Sequence, residues 1–171
     1  MTGLVGGGRI AKADPLMQAI GDVDEANSAI GVALTAIDHP GMTATLRRIQ
    51  NEMFDLGADL ATPMDESVGT LRVTLDQIER LEREIDGMNE HLAPLTSFVL
   101  PGGAAGAAHL HLARAIVRRA ERSAFAANDQ VALNPKAVRY LNRLSDWLFV
   151  AARRMNNSGQ NDVLWVPGAS R

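Results

Sequence analysis

The stretch HLHLARAIVRRAERS, His109 to Ser123, gathers four arginines within nine residues of an otherwise apolar segment. Leucine and alanine dominate it and neither proline nor glycine interrupts it, so it reads as helix. At about 100° per residue, Arg114, Arg118 and Arg122 follow each other at i, i+4 and i+8 and share one face. Glu121, seven residues after Arg114, lies on that face too, while Arg119 points elsewhere. Leu110, Ala113, Ile116, Val117, Ala120 and Ala124 are left to fill the remaining faces.

Working outward, the same reading gives four further helices. Asp14 is a helix cap with Pro15 at the first helical position, opening a helix over about 15–37 that DHPG ends. A second helix covers about 41–61 and stops before Pro63, and residues 63–73 read as a loop. Thr74 caps a third, LDQIERLEREIDGMNEHL, whose Glu/Arg-rich face is expected to be solvated. APLTSFVLPGG is an extended connection to the arginine helix, which spans about Ala104 to Asn128. Asn134 and Pro135 open a fifth helix that ends near NNSG, and NDVLWVPGASR is an irregular or short extended tail. Five helices joined by short loops predict an all-α, antiparallel five-helix bundle in one domain, residues 1–171.

Composition narrows the function. The 171 residues are 46% apolar, 22% charged and 4% aromatic, with net charge −3. A net negative chain is no general binder of nucleic-acid backbone, so the arginines serve a local purpose. There is no cysteine, which excludes disulfides and thiolate metal sites and is compatible with the cytoplasm. No apolar run is long enough to span a membrane.

Two readings of the arginine stripe stand at this point. One is a solvated face with an Arg–Glu pair; the other is a site for a polyanion, because guanidinium groups one turn apart suit successive phosphates. The fifth helix adds Asn142, Asp146 and Phe149 at i, i+4 and i+7, either a polar network fixing helix register or part of a site. Asp24, Asn27 and Ser28 share a face of the first helix with Asp22 and Glu25 nearby, too far along for a dipole role, which points to an acidic partner for an arginine. Gly6 to Gly8 could cradle phosphate or be a plain leader, and Phe98 alone reads as a core residue. His109 and His111 diverge around the helix and make no defensible metal site.

The ordered set GGGRIAKADP, GDVDEANSAIG, IQNEMFDLGADLATP, FVLPGG, HLARAIVRRAER, YLNRLSDWLF and DVLWVPG is more specific than any member of it. The chain resembles the PduO-type ATP:cob(I)alamin adenosyltransferases over nearly its whole length. The resemblance implies a homotrimer of five-helix bundles with active sites between subunits. It implies transfer of the 5′-deoxyadenosyl group of ATP to cob(I)alamin, with Mg²⁺ accompanying ATP. Arg114 and Arg118 would contact the ATP phosphates, with Arg119 and Glu121 completing their motif, and Asp24 would pair with Arg114 across the subunit interface. Asn142, Lys12, Thr2 and Gly3 would belong to the ATP site. Phe98 would lie beneath the corrin and keep the lower axial ligand off cobalt; Phe149 and Asp146 would belong to the same pocket. A cobalamin reductase and an adenosylcobalamin-dependent enzyme would be partners, with no nucleic acid and no membrane. The family's usual leader is longer, built around a TGDxGTTGL-like segment, and here TGL, Thr2 to Leu4, follows Met1, so residues 1–13 are expected to be a shortened ATP-binding leader. Ala26 stands where the family commonly has leucine. The short leader motivates an alternative, a carrier that delivers adenosylcobalamin with weak or no synthesis; a purely structural bundle ranks behind both.

Overall fold

The computed structural model describes residues 1–3, 9–64 and 71–171. Five helices make up the body: α1 (Pro15–Leu34), α2 (Pro40–Leu60), α3 (Leu75–Asn89), α4 (Ala105–Asn128) and α5 (Pro135–Met155). Strands β1 (Thr2–Gly3) and β2 (Arg9–Ile10) pair antiparallel ahead of them, Thr2 opposite Ile10 and Gly3 opposite Arg9. Ile10 packs against the core and so ties this ribbon to the bundle. Gly6 to Gly8, read above as a possible phosphate cradle, lie outside the described residues.

The helix starts follow local chemistry. Three helices begin on a proline whose missing N–H costs nothing at the first position. Asp14 accepts from the Leu16 N–H at 2.9 Å, and Asn134 from the Lys136 N–H at 3.1 Å. At α2 the cap is His39, whose Nδ1 accepts from the Met42 N–H at 3.1 Å. At α3 the Thr74 N–H donates to the Gln77 side chain at 2.8 Å. α1 ends at Leu34, three residues before its expected end, where the chain tightens into turn bonds from Thr35 to Val32 and from Ala36 to Ala33.

Side-chain pairings fix the helix directions. Ser123 meets Asp22 while Gly106 lies against Ile37, so α4 runs antiparallel to α1; Glu121 meets Asn142 while Arg114 meets Phe149, so α5 runs antiparallel to α4. Glu82 meets Arg139 and Arg143 while Ala93 meets Arg153, so α3 lies parallel to α5. The up-down order is the expected antiparallel bundle. The α1–α4 contact is the most extensive. It is made close by fully buried alanines at seven-residue spacing, Ala19, Ala26 and Ala33 on α1 and Ala113, Ala120 and Ala127 on α4. Ala26 is thus a close-packing residue of this contact. Leu141, Leu144 and Leu148 are fully buried on α5, as their spacing predicts.

The charged face of α3 departs from expectation. It is not merely solvated: Glu84 accepts from Arg48 and from the Trp147 indole, both at 2.9 Å, and Arg80 reaches Glu52 at 3.2 Å. Only Ile78 and Leu81 of this helix are buried, so polar pairs complete its packing. Glu52 is itself buried and accepts from Tyr140 at 2.7 Å. Burial first, and the Glu52 carboxylate next, push the Tyr140 hydroxyl well above the usual range, which keeps it a donor. Among the described residues no helix is long and apolar enough to cross a membrane.

Asp59 organises the opposite end. Its fully buried side chain accepts from the Arg72 guanidinium at 2.7 Å, the Val73 N–H at 2.8 Å and Asn134 at 2.6 Å. One carboxylate therefore joins α2, the segment leading into α3 and the cap of α5. Asp59→Ala is expected to lower unfolding free energy by about 3 kcal/mol or more, because two buried donors and the partly buried Arg72 guanidinium lose their acceptor. Urea denaturation followed by helical circular dichroism checks this; a loss under about 1 kcal/mol contradicts the role assigned to Asp59.

Candidate functional site

The arginine stripe of α4 divides by what each side chain meets. Arg119, which points away from the others, pairs with Asp22 at 3.4 Å and with Glu25. The hydrogen bond to Glu25 is the first reason its guanidinium is held more firmly protonated than usual. The acidic group of α1 is therefore an arginine partner, as its position suggested, and the arginine is Arg119. Arg122 folds back to donate to the Arg118 carbonyl at 3.0 Å. Arg114 and Arg118 have no carboxylate partner among the described residues, whereas Arg48, Arg72, Arg80, Arg139, Arg143 and Arg153 all have one.

Arg114 is the more unusual of the two. It is half-buried, with its guanidinium 5.7 Å from the centre of the Phe149 ring, and its Nε is buried without a hydrogen-bond partner. Burial first, and the Arg118 cation second, lower its pKa from the ordinary arginine value. A guanidinium kept charged under those two penalties favours an incoming anion. His111 meets the same ring, edge to face at 6.0 Å. It is buried at 3% exposure with an unpaired Nδ1.

Arg114 and Phe149 open on a cavity of about 640 Å³ with Leu95, Ser97, Phe98 and Trp165 in its wall. Phe98 is 77% exposed, so its reading as a core residue is wrong. The connection before α4 carries it outward, and the Trp165 ring stands edge-on to it at 6.0 Å. The tail supplies that tryptophan by antiparallel pairing. The Trp165 N–H donates to the Phe98 carbonyl at 2.7 Å, the Leu100 N–H to the Val163 carbonyl at 2.8 Å, and Val99 lies opposite Leu164.

Along α4 and α5 the polar track continues from this cavity. Asn142 donates to the buried Glu121 carboxylate at 2.8 Å, about 10 Å along the helix axis from Arg114. Both line a second cavity of about 340 Å³ with Phe125 and Arg139. Glu121 thus partners Asn142 instead of an arginine of its own helix. Asp146, between Asn142 and Phe149 on α5, pairs with Arg143 at 3.0 Å and does not line the aromatic cavity. Asp24 lies in a different place, a groove of about 470 Å³ between α1 and α2 beside Phe54. It is exposed and has no ion pair among the described residues. Lys12 is exposed just after β2. Thr2 and Gly3 place their backbone in β1. Sequence reasoning missed two residues here: the role of Trp165, because its partner lies 67 residues earlier, and His111, which helical spacing alone could not separate from a surface histidine. Mg²⁺ finds no cage: among the described residues no three or more His, Asp or Glu side chains converge.

The fold and site together define a helical-bundle protein with a cationic track running into an exposed aromatic cavity. A family model described as cobalamin adenosyltransferase matches residues 1–155, and the chain belongs to that family. It is 50% identical over 179 residues to the corrinoid adenosyltransferase of Mycobacterium tuberculosis, covering 99% of this chain and 90% of the relative. The cobalamin adenosyltransferase of Cupriavidus metallidurans is 43% identical over 166 residues, covering 96% and 88%. Among solved structures, a variant PduO-type ATP:corrinoid adenosyltransferase from Lactobacillus reuteri complexed with cobalamin and ATP superposes with a TM-score of 0.91 at 35% identity, covering 97% of this chain and 91% of that one.

His111 gives the site a pH signature. Burial, and next the Arg114 cation, lower its pKa from the ordinary 6.5, with Asp162 opposing. Below pH 6.5 the unfolded chain therefore binds a proton that the folded chain resists, and stability falls with falling pH until the folded pKa is reached. Above pH 6.5 this contribution is constant. The expected outcome is a loss of stability in the native chain relative to His111→Gln between pH 6.5 and 5. Parallel stability–pH curves for the two chains, measured by urea denaturation, contradict it.

Proposed function

We propose that this chain transfers the 5′-deoxyadenosyl group of ATP to the cobalt of cob(I)alamin and releases triphosphate, with residues 1–171 working as one adenosyltransferase domain. The single observation that carries the reading is Arg114: a half-buried guanidinium without a carboxylate partner among the described residues, set where the cationic track meets the aromatic cavity. The relatives agree in their printed activity, and none of the three described above favours a carrier without synthesis.

The chemistry asks little of protein acids and bases. The Co(I) lone pair attacks C5′, the C5′–O bond breaks, and its electrons leave on triphosphate, so no proton need move. The chain's tasks are alignment and charge. Arg114 and Arg118, one turn apart on a rigid helix, would spread along the phosphates and stabilise the charge building on the leaving group. Asn142 and Glu121 would hold the far end of the nucleotide, while Lys12 and the backbone of Thr2 and Gly3 would close over it. Phe98 and Phe149 would face the corrinoid, their rings excluding water and a lower axial ligand from cobalt. Cobalt without that ligand is easier to reduce, and the apolar wall serves that end.

A homotrimer completes the site in this reading. Asp24 would meet Arg114 of a neighbouring copy, giving the half-buried guanidinium the carboxylate it lacks within its own chain. Phe54 at 69% and Phe125 at 56% exposure lie in the two grooves beside Asp24 and Asn142, surfaces that a neighbour would cover. Mg²⁺ would arrive bound to the phosphates rather than to protein carboxylates. The setting is cytoplasmic, with a reductase supplying Co(I) and an adenosylcobalamin-dependent enzyme receiving the product.

The test is an anaerobic assay of cob(I)alamin with Mg-ATP, following adenosylcobalamin by its absorbance. The native chain is expected to turn over. Arg118→Ala is expected to lower kcat/KM for ATP about 10- to 100-fold, the worth of a charge-assisted bond to phosphate. Unchanged kinetics in that variant, or no turnover by the native chain, would sink the assignment.

A further inference from the structure

Away from the reacting groups, the end of α5 holds a buried ionic cluster to which the chemistry above gives no task. Arg153 and Asp162 have side-chain exposures of 8% and 3%, and the Arg153 Nε donates to Asp162 Oδ2 at 2.8 Å. The other carboxylate oxygen accepts from Asn156 Nδ2 at 2.9 Å. Arg153 Nη2 donates to the Ala93 carbonyl at 2.9 Å, and Asn156 Oδ1 accepts from the Ala104 N–H at 3.2 Å. The cluster therefore touches both ends of the 93–104 connection that carries Phe98, the start of α4, the end of α5 and the tail.

Two glycines show how tightly it is built. Gly103 has φ +96°, and a Cβ there would lie 2.3 Å from Asn156 Oδ1. Gly159 has φ +79°, and a Cβ there would lie 3.1 Å from Arg153 Nη2. Both are left-handed positions that favour glycine; at Gly103 a side chain would collide with the cluster, and at Gly159 it would crowd it. A buried ion pair is poor evidence of net stabilisation, since apolar residues of similar volume often do as well. What it adds is direction: each of its bonds fixes one segment relative to another. One residue after Asp162 the tail begins its pairing with Phe98, Val99 and Leu100. On the outer side Ser97 Oγ donates to the Trp165 carbonyl at 2.7 Å. Neither Arg153, Asn156 nor Asp162 lines the aromatic cavity.

We propose that the Arg153–Asp162–Asn156 cluster is the positioning device of the corrinoid end of the site: it anchors the tail, and through residues 163–165 the tail holds Phe98 and Trp165 in place over the cavity. The inference rests on the reading that this cavity receives the corrinoid, while the ATP track on α4 and α5 lies outside its reach. Asp162 and its two partners are positioning residues, acting on the ligand through the 93–104 connection and the tail.

The experiment measures dissociation constants of the full chain for adenosylcobalamin and for Mg-ATP, neither of which needs a reductant. Asp162→Asn is expected to weaken adenosylcobalamin binding about ten-fold or more while leaving ATP binding unchanged. Adding Val99→Cys and Leu164→Cys then supplies a substitute tether. These two residues form a non-hydrogen-bonded antiparallel pair, close enough for a disulfide, in a chain without other cysteines. Oxidation of that triple variant is expected to restore corrinoid affinity, and dithiothreitol to remove it again. A general loss of fold would weaken both ligands and would not respond to the tether. Unchanged corrinoid affinity in Asp162→Asn, or an equal loss for both ligands, overturns the proposal. Should Asp162→Asn not fold, Leu100→Pro decides. It removes the Leu100 N–H bond to Val163 at a residue that is itself exposed, and is expected to weaken corrinoid binding alone; no change overturns the proposal. Failure of the native chain to bind adenosylcobalamin would instead strike the functional reading itself.

Discussion

Close packing between α1 and α4 is the constraint on which the rest of the structure depends. Alanines at every seventh position let the two backbones approach, and a backbone held that near its neighbour cannot rotate about its own axis. The orientation of α4 is then fixed, and with it the direction of every arginine. Arg119 falls toward α1 and is neutralised there; Arg114 falls toward α5 and an aromatic ring; Arg118 faces out. Of the four arginines, one makes structural ion pairs, one caps its own helix, and two have no carboxylate partner among the described residues.

Electrostatics sorts structural from functional groups in this chain better than charge alone does. Arg48 of α2, Arg80 of α3 and Arg153 of α5 each meet a carboxylate from another segment of the chain. Arg114 sits under a desolvation penalty and a like-charge penalty at once, with its Nε unpaired. Such an arrangement is unfavourable in the isolated chain and is relieved by an anion, which is the signature expected of a group shaped for binding rather than for folding.

Much of this was legible in the sequence because it is local. The Asp14–Pro15 and Asn134–Pro135 starts, the extent of α4 and the buried leucines of α5 follow from spacing and cap chemistry within a few residues. The long-range pairings were not. Nothing near Phe98 announces that Trp165 will stand beside it, or that Glu84 will cross to Arg48 and Trp147 in place of meeting water. His39 was seen as part of a helix-ending segment, although its Nδ1 opens the next helix. Taken alone, Phe98 reads as a core residue on hydrophobicity, a rule that fails where an apolar side chain is held outward by a backbone pairing formed elsewhere; only the family resemblance implies a place for it beside the corrin. The individual motifs were ambiguous; their order along the chain was what carried the family assignment.

The sparse burial of α3 has a bearing on how the molecule breathes. Two buried side chains and a set of partly exposed ion pairs hold this helix, while the α1–α4 contact adds a stripe of fully buried alanines to its own Arg119 pairs. Attraction of the first kind is screened by dissolved ions over a distance of about 10 Å at ordinary salt, and attraction of the second kind is not. Ionic strength therefore acts unequally on the bundle. Raising it loosens the α3 wall and speeds local opening there, while apolar packing keeps α4, the helix that carries the four arginines, seated against α1 even as the exposed Arg119 pairs weaken.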